Sequence, residues 1–70
     1  DRTSKDDEFA ALEECRLAVE QVVMPQGRPV ELLPRTERVL RMQADLVSRY
    51  QLRSDVFGQA EQSRLRVFPP

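Results

Sequence analysis

Hydrophobic residues recur at three- and four-residue steps in the first third of the chain, as they do on one face of an α-helix. The members of this stripe, including the two alanines that widen it, are Phe9, Ala11, Leu12, Cys15, Ala18, Val19 and Val22. The spacing predicts a helix over residues 6–23, preceded by a polar N-terminal tail over residues 1–5. Pro25 and Gly27 are expected to end the helix, because neither residue continues it easily.

A short apolar run follows, over residues 29–33, between Gly27 and Pro34. Its length and its flanking residues are typical of one β-strand, with Val30 and Leu32 on the same face. Beyond Pro34 the pattern returns to helical spacing, and the sequence predicts a second helix that begins after an N-cap at Thr36 and reaches about residue 50. The apolar positions expected to form its core face are Val39, Leu40, Met42, Leu46, Val47 and Tyr50.

The last third of the chain alternates apolar and polar residues in two runs, over residues 52–57 and 63–68. A polar five-residue connection that contains Gly58 separates them, which is typical of a β-hairpin. In the second run, Leu65 and Val67 are expected to face the core. Arg64 and Arg66 would then share the opposite face of the sheet, since side chains alternate along a strand.

The order of these elements is α-β-α-β-β. It predicts an α/β (α+β) two-layer sandwich, in which a three-stranded sheet carries both helices on one face. Residues 6–70 would form a single domain whose basic α/β part spans residues 28–68. No stretch of the chain is long and apolar enough to cross a membrane, so a membrane is not an expected partner.

The composition disfavours catalysis. The 70 residues include no histidine, one cysteine and two glycines. This excludes a Ser-His-Asp triad, an internal disulfide, a Cys-only metal site and a Gly-rich phosphate loop. Cys15 lies on the apolar stripe and is expected to be a buried core residue. We therefore expect no enzyme activity, metal or cofactor in this chain, and any catalysis would belong to another domain of its parent protein.

The net charge of −1 hides an asymmetry. Residues 1–26 carry three basic and seven acidic side chains, whereas residues 27–70 carry eight arginines and five acidic side chains. Arginine presents a planar fork of donors that suits phosphate groups, so the second part of the chain has the charge expected of a nucleic-acid-binding surface. Ten of the eleven basic residues are arginine, which is equally compatible with a genome-wide bias in composition.

The arginines also have a suggestive arrangement. Arg38 and Arg41 are three residues apart on one side of the second predicted helix, and Arg35 stands at its N-terminus, where free N–H groups favour anions. Arg64 and Arg66 share one face of the last strand. Two interpretations stay open: the arginines contact phosphates, or they are solubilising charges. In the second case, their expected partners are Glu37, Asp45, Asp55 and Glu61.

Several segments occur in an order that resembles the R-three-H domain family, which is named for an Arg-x-x-x-His motif. The closest resemblance is to the C-terminal module of P-loop ATPases of the cyanobacterial and chloroplast type, and residues 12–23 resemble the helix that precedes that module. The matching segments are Pro-Val-Glu-Leu-Leu-Pro-Arg (29–35), Met-Gln-x-x-Leu-Val-x-x-Tyr (42–50), Ser-x-x-Phe-Gly (54–58) and Arg-Leu-Arg-Val-Phe-Pro (64–69).

The resemblance implies a three-stranded antiparallel sheet with helices on one face and binding of single-stranded nucleic acid. It implies that Arg35, Arg41, Arg64 and Arg66 occupy basic positions of the family. The parent chain would include an ATPase domain, and the protein would lie in the cytoplasm or the chloroplast stroma. The expected function is a nucleic-acid-binding module for RNA or DNA, without sequence specificity and of modest affinity, with Arg38 as a further contact.

The two residues that name the family are missing. Their positions fall at Leu40 and Ala44, so an arginine and a histidine are replaced by apolar residues. This departure supports an alternative expectation: a degenerate domain that has lost nucleic-acid binding and serves as a protein-protein interaction or regulatory module. Leu40 and Ala44 would then form part of an exposed contact patch, together with the acidic first helix.

Overall fold

The computed structural model describes residues 2–70, with side chains from Lys5 onward. The N-terminal helix consists of α1 (Arg2–Ala18), a π-helical turn (Val19–Val23) and α2 (Met24–Gln26). The elements that follow are β1 (Val30–Glu31), α3 (Glu37–Arg49), β2 (Ser54–Phe57), a 3₁₀ turn (Ala60–Gln62) and β3 (Arg64–Val67). Within residues 2–70, no helix has the length and hydropathy needed to cross a bilayer.

The three strands form one antiparallel sheet in the order β1-β3-β2, so β3 is central. Val30 pairs with Val67 across the first ladder, and Val56 pairs with Leu65 across the second. Leu65 and Val67 are fully buried and share one core cluster with residues of both helices. The predicted α+β fold, with the helices on one face of a three-stranded sheet, is confirmed.

The N-terminal helix is longer than the sequence indicates at both ends. It begins at Arg2, within the predicted tail over residues 1–5, of which Asp1 lies outside the described residues. The exposed polar residues after it, beginning with Lys5, are compatible with helical turns that face solvent. At its other end the helix continues past Val23 to Gln26, and it ends at Gly27, whose φ of 64° closes it in the left-handed conformation.

Two local features let the helix continue through Pro25. A wide π-helical turn precedes the proline, and the Met24 N–H donates to the Val19 carbonyl five residues back. Pro25 has no N–H to give to the Gln21 carbonyl. The side-chain amide of Gln26 donates to that carbonyl instead, at 3.1 Å.

The buried side of the N-terminal helix is a row at four-residue spacing, and it differs from the predicted stripe. The row consists of Ala11, Cys15, Val19 and Val23. Phe9 was expected on this face but is 69% exposed, because two residues of helix rotate it by about 200° from Ala11. Cys15 is fully buried, which confirms the prediction of a core cysteine.

Helix α3 lies between α1 and the sheet, and this position rotates its buried face away from the predicted one. Its buried residues are Val39, Leu40, Gln43 and Val47, whereas Met42, Leu46 and Tyr50 are only half-buried. Gln43 is central to the contact between the two helices: its side-chain amide donates to the Ala11 carbonyl at 3.0 Å. The Cys15 thiol donates in turn to the Gln43 backbone carbonyl.

Leu40 is a core residue. It is 4% exposed and packs in the same cluster as Cys15, Val47 and Leu65, while Ala44 lies half-buried against that cluster. The expectation of an exposed contact patch at these two motif positions is therefore wrong, because α3 turns both of them toward the interior.

The hairpin follows the predicted alternation, with Leu65 and Val67 toward the helices and Arg64 and Arg66 on the other face. Its turn depends on Gly58, whose φ is +90° and whose position leaves no room for a side chain. A Cβ atom there would lie 2.5 Å from the Gln62 carbonyl oxygen, so only glycine fits.

Candidate nucleic-acid interface

The fold separates the predicted phosphate-binding arginines into two groups in different layers. We call Arg35, Arg38 and Arg41, at the N-terminal end of α3, the helix-side arginines. We call Arg64 and Arg66, on the sheet face turned away from the helices, the sheet-side arginines. A short nucleic-acid segment lying on one face would contact only one of these groups.

The helix-side arginines border a groove of about 900 Å³ that both motif positions, Leu40 and Ala44, also line. Acidic residues share its wall: Asp7, Glu8, Glu37 and Glu61. Arg38 forms an ion pair with Glu8, and Arg41 forms a longer one with Glu37 at 3.8 Å. With four carboxylates beside three guanidinium groups, this groove lacks the positive potential that attracts a phosphate backbone.

Arg35 has a structural position. Its side chain is 18% exposed, and its guanidinium contacts Glu14 of α1 at 3.3 Å. Glu14 also accepts the backbone N–H of Leu33 at 2.8 Å, so the Glu14–Arg35 pair fastens the N-terminal helix to the segment that precedes α3. The Arg35 Nε atom is buried and has no hydrogen-bond partner among the described residues.

Replacing Glu14 by alanine is expected to lower the free energy of unfolding by about 1–2 kcal/mol, because it leaves the mostly buried Arg35 without its carboxylate. Urea unfolding of both proteins measures the difference. Glu37→Ala removes an equal charge from a side chain that is 89% exposed, and it should change stability by less than about 0.5 kcal/mol. Equal effects of the two substitutions would contradict a structural role for Arg35.

The sheet-side arginines converge on one carboxylate. Glu31 of β1 accepts hydrogen bonds from Arg64 Nε at 2.8 Å and from Arg66 Nε at 3.0 Å, and it also pairs with the terminal nitrogen of Arg66. These three side chains are each about one-third exposed. The hydrogen bonds from Arg64 and then Arg66 lower the pKa of Glu31 below its usual value, so the carboxylate is ionised at neutral pH.

Two aromatic rings lie on the same sheet face as Arg64 and Arg66. Phe57 and Phe68 meet edge to face, with centroids 6.5 Å apart, and the Arg66 guanidinium lies over the Phe57 ring at 4.2 Å. Arg53 belongs to this face by strand alternation, and its carbonyl accepts the Phe68 N–H at 2.9 Å. The side chain of Arg53 is exposed and forms no ion pair within residues 5–70.

Sequence reasoning did not include these two phenylalanines in the site, although the signal was present. Phe57 alternates with Arg53 and Asp55, and Phe68 follows Arg64 and Arg66 at two-residue steps. The same alternation that turns the arginines outward therefore turns both rings outward. The third aromatic residue of the basic part, Tyr50, instead donates its hydroxyl to Glu20 at 2.7 Å, which connects the ends of the two helices.

The interior holds no reactive group in the part of the chain that is described. Burial, and secondarily the negative charge of Glu14, raise the pKa of the Cys15 thiol to about 11. The thiol is therefore protonated at neutral pH and is no nucleophile. Across the described residues, no three side chains of His, Cys, Asp or Glu come together as metal ligands.

The chain is similar to two curated proteins. It is 46% identical over 63 residues to Protein SEEDLING PLASTID DEVELOPMENT 1 of Arabidopsis thaliana, an alignment that covers 90% of this chain and 9% of the relative. It is 37% identical over 62 residues to the uncharacterized protein ycf45 of Porphyra purpurea, covering 89% of this chain and 11% of the relative. The chain thus spans about a tenth of the length of these relatives. No family profile and no solved structure matches it.

Proposed function

We propose that this chain is an R-three-H-like module that binds single-stranded RNA or DNA through the open face of its sheet. One observation carries the proposal: Phe57 and Phe68 lie beside Arg53, Arg64 and Arg66 on the face that the helices leave uncovered. We call these five residues the open-face site. The helix-side arginines are not part of it, because carboxylates share their groove.

The chemistry of the open-face site suits an unpaired strand. A base stacked on an aromatic ring contributes about 1–3 kcal/mol, and arginines beside the ring contact the phosphates that flank the base. The Arg66 guanidinium already covers Phe57, so a base stacks on that guanidinium plane or on Phe68. Stacking and phosphate contacts read no base edge, which accounts for binding without sequence specificity.

We further propose that the module belongs to a longer protein of the chloroplast. The name of the Arabidopsis relative refers to plastid development, and the chain corresponds to about a tenth of that relative. The resemblance to the C-terminal module of P-loop ATPases supports a parent chain in which a separate domain hydrolyses ATP. The module would then hold a single strand while that domain acts.

The proposal is tested by fluorescence anisotropy of labelled single-stranded oligonucleotides at low and at physiological salt. We expect binding at low salt that weakens as salt rises, because each phosphate contact releases counterions. A duplex of the same sequence should bind less well, since its bases are not available for stacking. Absence of binding at low salt would reject the proposal and favour the alternative, a module that binds a protein such as its own ATPase domain.

A further inference from the structure

The sheet-side arginines already hold an anion that belongs to the chain itself. Glu31 lies directly opposite Arg66 in the register of β1 and β3, and its two carboxylate oxygens divide between Arg64 and Arg66. A carboxylate and a phosphate present the same pair of acceptor oxygens to a guanidinium fork. Glu31 therefore occupies the positions that phosphate oxygens would take on these two arginines.

The backbone fixes this carboxylate in place. Strand β1 is only two residues long, and Pro29 and Pro34 flank it closely, so its backbone has little freedom to carry Glu31 away. The side chains are less constrained. Since Glu31 and both arginines are about one-third exposed, solvent and a phosphate can reach the pairs without any change in the core.

We infer that Glu31 is a built-in competitor of nucleic acid, which must leave Arg64 and Arg66 before a phosphate can bind them. The inference rests on the function proposed above and adds its regulation. Removing the carboxylate raises the net charge of the three-residue cluster from +1 to +2, and it frees two guanidinium groups without removing any contact to the ligand. The affinity of the open-face site is thus limited from within, which is how this module remains a weak binder.

Glu31→Gln tests the inference, and Glu37→Gln is its matched control. Both variants remove one negative charge, but Glu37 pairs with Arg41 in the helix layer. We expect Glu31→Gln to bind a labelled oligothymidylate about fivefold more tightly, the upper range for release of a surface ion pair. The slope of log affinity against log salt should steepen by about 0.7 for each further phosphate that the freed arginines bind. Glu37→Gln should stay within about twofold of the wild type.

The outcomes separate the inference from the proposed function. Tighter binding by Glu31→Gln alone supports both, even if the wild type does not bind detectably. If the wild type binds and Glu31→Gln binds equally or less well, or if both variants bind more tightly to the same extent, competition by Glu31 is rejected while the proposed function stands. If neither the wild type nor Glu31→Gln binds at low salt, the proposed function itself fails. Glu31→Thr, which suits a strand, repeats the test should glutamine disturb folding.

Discussion

Replacing Leu40 by arginine is expected to lower the free energy of unfolding by about 3–5 kcal/mol, although it restores a residue that names the R-three-H family. Leu40 is 4% exposed and packs against Cys15 and Leu65, so the substitution removes core packing and places a charge in an apolar cluster. A domain of this size has a total stability of roughly 4–10 kcal/mol. The variant should therefore be partly or fully unfolded at ambient temperature.

Urea or thermal unfolding followed by circular dichroism measures this effect. Leu40→Met is the matched control, because it preserves volume and apolar character and should cost less than about 1.5 kcal/mol. A Leu40→Arg variant with an unchanged unfolding midpoint would show that the new side chain extends into the groove beside α3. Restoring the family motif would then be a valid way to strengthen nucleic-acid binding.

The hairpin was predictable from the sequence because its pattern is short-range. Apolar and polar residues alternate through 63–68, and the period of two assigns Leu65 and Val67 to one face and Arg64 and Arg66 to the other whatever else the chain does. The glycine in the connection likewise marks a turn that only glycine accepts. The order of helices and strands follows from the same local signals.

The buried faces of the helices could not be predicted in the same way. A periodic apolar stripe shows that a helix packs, but the neighbours decide which of its residues lie in the centre of the contact. Gln43 is fully buried because α3 has α1 on one side and the sheet on the other. Phe9, the largest apolar residue of α1, lies outside because the packed row passes through Ala11 and Cys15.

The partners of the arginines depend on the tertiary fold even more strongly. The sequence suggests Glu37, Asp45, Asp55 and Glu61 as counter-charges, and among the described residues only Glu37, four residues before Arg41 on the same helix, forms such a pair. The acidic N-terminal helix supplies Glu8 to Arg38 and Glu14 to Arg35, across sequence separations of 30 and 21 residues. The charge asymmetry along the chain is thus partly neutralised in the folded state.

The double variant Arg64→Gln/Arg66→Gln is expected to weaken binding of a labelled single strand by about 30-fold at low salt. This magnitude corresponds to about 1 kcal/mol for each of the two arginines that no longer binds a phosphate. The salt dependence should also become shallower, by about 0.7 in slope for each of these phosphates. Stability should change little, because these side chains are on the surface and their removal leaves only a solvated Glu31.

Arg38→Gln/Arg41→Gln is the control that makes the double variant decisive. It removes the same charge from the helix-side arginines, which already face Glu8 and Glu37 in a groove of mixed sign. If the open sheet face binds the strand, this control should weaken binding by no more than about threefold, the share due to net charge alone. The reverse order of effects would place the strand at the groove that Leu40 and Ala44 line. Equal losses of affinity would mean that net charge attracts the strand, since no specific face would then contribute more than its charge.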